Sequence, residues 1–160
     1  MFNLSKPSPP HAPRVEPNGP IIKIFLPDRW NPIHVVEAID TGPPHDHPFS
    51  LKANILIHGY VEDVWVLTPG GGYTLYQNVF RKPGTTHQID ADTIHLITGL
   101  PGGFSVTEAE PEAATRPWFH YQPQDDGSVL RSPNWDGPWE SYHPAGFVTI
   151  INCLGKNVMR

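Results

Sequence analysis

Between Phe49 and Ile57 the chain alternates. Phe49, Leu51, Ala53, Ile55 and Ile57 share one parity, Ser50, Lys52 and Asn54 the other, and Gly59 breaks the run. A period of two is that of a β-strand, whose successive side chains point to opposite faces. One face of this strand is apolar and the other polar, which marks a half-buried strand. Twenty prolines and fourteen glycines among 160 residues carry the same constraint to the whole chain. They disfavour helices and favour many short strands joined by turns.

Taken in order, residues 1–20 form a Pro-rich extended arm, with six prolines between Pro7 and Pro20 and little to bury. Strands are then expected around Ile21–Leu26, Ile33–Ile39, Tyr60–Leu67 and Tyr73–Phe80, the last two forming a hairpin across a glycine-rich loop. Shorter ones are expected around Thr85–Ile89, Thr93–Thr98, Phe104–Ala109 and Trp118–Tyr121. Eight or more short strands at near-regular spacing predict an all-β jelly roll or barrel, a single domain over residues 21–122. Residues 123–160 read as an aromatic and Pro-rich C-terminal extension that wraps the barrel, with a final strand over residues 147–152.

Sixteen acidic against eleven basic residues give a net charge of −5, which argues against nucleic acid as a partner. The apolar runs are too short to span a bilayer, so no membrane partner is expected. Cys153 is alone, which excludes an internal disulfide and fits a reducing compartment. The opening Met1-Phe2-Asn3-Leu4-Ser5-Lys6 lacks a secretory pattern, and a cytoplasmic location is the expectation.

The chemistry lies just before the alternating run, at His45-Asp46-His47-Pro48. Two histidines two residues apart on extended backbone present both imidazoles to one side, where they can reach one metal ion. Their parity matches that of the apolar face, so both are expected to point inward, with Asp46 opposite them in a structural role. Two ligands are too few, and a third must come from elsewhere in the fold. His11, His34, His58, His120 and His143 read as packing or surface histidines.

The His-x-His pair followed by a strand closing on Gly59 resembles the first motif of the cupins, small double-stranded β-helix proteins that hold one metal in the barrel mouth. The similarity is to small HDHP-type cupins and, more distantly, to cysteine-dioxygenase-like cupins with three histidine ligands. It rests on His45-Asp46-His47, Gly59-Tyr60-Val61-Glu62 and Ile89-Asp90-Ala91-Asp92-Thr93-Ile94-His95. It implies a cupin jelly-roll barrel and a homodimer. The Glu usual in the first cupin motif is replaced by Lys52. His95 matches the approach to the third histidine, with His87 its rival, three residues after Gly84, and Glu62 is a candidate fourth ligand. Ser105 matches the Ser-x-His-x-Tyr arrangement of the dioxygenases, but its other positions read Thr107 and Ala109, which argues against thiol oxidation by that route.

The resulting expectation is one divalent ion on His45, His47 and His95. Fe(II) is the first choice, while Zn, Ni, Mn or Co also suit imidazole. The activity expected is that of a mononuclear iron dioxygenase or other oxygenase acting on a small molecule, with Glu62 and Arg81 as catalytic candidates. Arg81, or else Lys52, would hold a substrate carboxylate. The alternatives are a non-redox isomerase, lyase or hydrolase with Glu62, His87 or a tyrosine as base, and a non-catalytic ligand-binding cupin.

Overall fold

The structure, a computed structural model, describes residues 12–69, 72–124, 128–143, 148–152 and 156–157. Its regular elements are strands, with no helix among the described residues: β1 (Arg14–Asn18), β2 (Ile21–Phe25), β3 (Ile33–Val36), β4 (Leu51–Ile57), β5 (Tyr60–Leu67), β6 (Tyr73–Arg81), β7 (Thr86–Ile89), β8 (Ile94–Gly99), β9 (Ser105–Pro111), β10 (His120–Pro123), β11 (Val129–Ser132), β12 (Glu140–Tyr142), β13 (Val148–Asn152) and β14 (Lys156–Asn157). No helix among these residues is long and apolar enough to cross a membrane.

The first sheet runs β1-β2-β3-β9-β4-β7 and the second β14-β13-β6-β5-β8, with β10-β11-β12 as a three-stranded unit. Pairing is antiparallel except between β13 and β6. The chain passes repeatedly between the two large sheets, and their facing sides meet in one core. Val36, Leu51, Ala53, Ile55 and Ile89 come from the first sheet, Tyr60 and Ile97 from the second. These side chains alternate along their strands, as a half-buried sheet requires. On the reverse side of the second sheet, Trp65, Tyr73, Leu75 and Ile94 are covered by Tyr121 and Val129 of β10 and β11, with Phe119 and Tyr142 packed alongside.

Part of the N-terminal arm is built into the first sheet, because Arg14–Asn18 pairs with β2 along its length. The strand expected over residues 147–152 is β13, Val148–Asn152, which lies between β14 and β6. His11, Cys153 and Phe147 fall outside the described residues.

The alternating run departs from its pattern at its end. Leu51, Ala53 and Ile55 are buried, but Ile57 is 45% exposed. A register shift against β9 between Ile55 and Ile57 inserts one residue and turns Ile57 outward. The chain then reverses through His58 and Gly59, both at positive φ. A side chain at Gly59 would meet the Arg81 carbonyl oxygen, so this turn demands glycine.

Candidate metal centre

His45 and His47 do not head β4. Bends around Pro48 and Phe49 separate them from it, and His45 belongs to the second sheet, in isolated antiparallel bridges with His95 on one side and His120 on the other. The His45 amide donates to the His95 carbonyl at 3.0 Å, and the His95 amide returns the bond at 2.9 Å. Directly opposed residues in an antiparallel pair share a face. His95, His45 and His120 therefore form a lateral row across three adjacent stretches of chain, and His47, two residues from His45, joins them on that face.

One ligand atom from each of His45, His47 and His95 lies within 4.8 Å of the other two, a cluster that can hold a metal ion. The tightest approach is Nε2 of His47 to Nε2 of His95, 2.9 Å. An ion about 2.1 Å from each of two nitrogens holds them about 3.0 Å apart at a right angle. The pair thus stands at a hydrogen-bond separation that is also that of adjacent ligands on one ion, and a ligand atom of His45 lies within 4.8 Å of both.

Burial suits these imidazoles to ligation. It pushes His45 down to about 3, with His95 and His120 adding to the effect, and His47 down to about 2, with help from His95 and His45. Both are neutral at physiological pH, the form that donates a lone pair.

Glu62 is 1% exposed and stands behind His95. Its Oε2 accepts from His95 Nδ1 at 2.8 Å, while its Oε1 accepts from Arg81 Nε at 2.5 Å. Burial alone would raise this carboxyl, but the His95 bond and the Arg81 charge outweigh it and hold it below its ordinary range. A carboxylate on Nδ1 fixes the tautomer that leaves Nε2 free for a metal. The sequence offered Glu62 as a fourth ligand; the geometry places it one bond further out, on the ligand rather than in the cluster. Arg81, Glu62 and His95 also line a cavity of about 210 Å³ together with Val64, Gln88 and Thr93.

The other candidates lie elsewhere. His87 is on β7, where its Nε2 meets the Tyr60 hydroxyl at 3.1 Å. Burial holds the Tyr60 phenol well above its ordinary range, so it stays protonated, and either group can donate in this pair. The other ring nitrogen, His87 Nδ1, is buried and has no hydrogen-bond partner among the described residues. Lys52 is on the exposed face of β4, 3.8 Å from Glu110, away from the histidines. Asp46, fully buried on the opposite side of the chain from the imidazoles, accepts from Arg116 Nη2 at 2.6 Å and from the Phe119 amide and Tyr121 hydroxyl, each at 2.7 Å. It locks the His45–His47 segment to the start of β10.

His120 was overlooked at the level of sequence. It reads there as one more aromatic in Trp118-Phe119-His120-Tyr121, and only the bridge to His45 reveals its place. No protein-family model matches the chain, and no curated protein matches it by sequence. The candidate centre therefore rests on geometry and donor chemistry.

Proposed function

We propose that this chain is a cupin that holds one divalent metal ion on His45, His47 and His95 and acts as a mononuclear non-haem iron oxygenase on a small molecule. The observation that carries the reading is the 2.9 Å approach of the His47 and His95 Nε2 atoms, with His45 beside them and no carboxylate in the cluster. The two facing sheets, between which the chain passes repeatedly, support a double-stranded β-helix. Fe(II), when bound, would supply redox chemistry toward dioxygen; Zn, Ni, Mn and Co suit the same donors and would supply Lewis acidity.

The chain's own residues have distinct roles in this account. Glu62 orients His95 through Nδ1 and keeps its Nε2 lone pair directed at the ion. Arg81 balances the Glu62 charge through Nε and, with Glu62 and His95, lines the cavity beside the cluster.

A specific observation also favours a second, non-redox reading. Tyr60, in the core, meets the part-buried His87 in a hydrogen bond, a phenol and an imidazole able to relay a proton. Oxygen uptake separates the two. Protein loaded with ferrous ion under argon should consume dioxygen with at least one of a panel of small carboxylic acids, and His47→Ala should abolish the uptake. Stoichiometric iron with no uptake across the panel would discard the oxygenase reading and leave the Lewis-acid one.

A further inference from the structure

The row of histidines does not end at the metal cluster. Beyond His45, on the side away from His95, lies His120, which is 7% exposed and whose buried Nδ1 has no hydrogen-bond partner among the described residues. Two indoles flank it. Trp118 meets His120 at 5.0 Å between centroids and His45 at 6.1 Å, the latter nearly perpendicular at 88°; Trp135 meets His120 at 6.2 Å. Both indoles are large apolar surfaces left open, Trp118 45% and Trp135 57% exposed. Trp135 is seated rather than loose: a side chain at Gly42 would come within 2.6 Å of two of its ring atoms, so the segment leading to His45 supports that ring directly.

We infer that Trp118, His120 and Trp135 form the substrate-binding wall of the proposed metal centre, and that the substrate is a planar aromatic molecule carrying oxygen donors. The inference rests on the proposed centre, because His45 is the residue the two share. Aromatic rings engage other rings edge-to-face or offset at these separations, and a flat ring against an indole gains contact beyond its area alone. A polar ring substituent suits the unpartnered nitrogen of His120, since buried polar groups in folded proteins are nearly always paired. A sugar would also stack on tryptophan, but it needs a dense set of polar partners, and this wall offers one imidazole between two indoles.

The test compares two probes that each carry a hydroxyl beside a carboxylate, salicylate on a flat aromatic ring and cis-2-hydroxycyclohexanecarboxylate on a puckered one. Each is titrated calorimetrically into zinc-loaded full-length protein, with zinc content measured on every sample. Wild type is expected to prefer salicylate by about tenfold or more. The Trp118→Ala/Trp135→Ala double variant, still holding one equivalent of zinc, is expected to lose that preference. His120→Phe, which keeps a ring but cannot bond, should weaken salicylate alone. Equal affinity of wild type for the two probes, or a preference unchanged in the double variant, overturns the aromatic wall and leaves the metal centre standing. Wild type that binds no zinc overturns both.

Discussion

At the scale of single residues, the centre depends on groups that arrive from different parts of the chain. His45 and His47 were legible in the sequence, because a spacing of two on extended backbone fixes a shared face whatever the fold. The choice between His95 and His87 was not, since each sits in a plausible strand and only cross-strand register decides. The bridge to His45 brings His95 into the cluster, while His87 is turned to Tyr60. Glu62 was singled out in the sequence as a catalytic candidate and a candidate fourth ligand, and its bond to His95 Nδ1 left no trace there, because sequence cannot distinguish a ligand from the residue that holds a ligand. Its role makes a prediction. Glu62→Gln should leave the fold intact and weaken metal affinity about 10–100-fold, read by competition with a chromophoric chelator; unchanged affinity would show that the His95 bond does not tune the site.

At the scale of elements, the structure turns on how the 45–50 segment crosses between sheets. The alternation after Phe49 correctly indicates a strand with its apolar side inward, but it reads as though the histidines continue that strand. His45 pairs instead with His95 of β8, and the bends near Pro48 carry the chain across to β4. Asp46 anchors this crossing through three bonds from Arg116, Phe119 and Tyr121. Asp46→Ala should therefore cost about 1–3 kcal/mol of stability, the scale for leaving the Phe119 amide and the buried Tyr121 hydroxyl without their acceptor, as measured by urea denaturation. A loss below about 1 kcal/mol would mean the anchor is dispensable. The Gly59 turn offers a second test. Gly59→Ala adds a side chain where φ is +76° and the Arg81 carbonyl blocks it, so it should destabilise by more than about 1 kcal/mol, whereas Gly84→Ala, also at positive φ but open, should cost less.

For the molecule as a whole, the all-β class followed from proline and glycine content and from period-two patterning. The order of strands within the sheets did not, because pairing between residues far apart in sequence leaves no local trace. Part-buried histidines outside the cluster shape the pH response. His34 and His87 are each pushed down to about 4, first by burial and then by Lys23 and Arg81 respectively. Their folded values lie below the ordinary 6.5, so the unfolded chain binds the extra protons. Their stabilisation is complete above about 6.5 and is lost as pH falls through about 4. Metal-free protein should accordingly lose melting temperature across that window, and His87→Gln should flatten the decline.

The most direct test of the central claim is elemental analysis of untagged protein reconstituted with ferrous ion and desalted, for wild type, His95→Ala and His87→Ala. The three-histidine centre requires about one equivalent of iron in wild type, essentially none in His95→Ala and the wild-type amount in His87→Ala. Wild type without bound metal, or with metal that survives removal of His95, would contradict it.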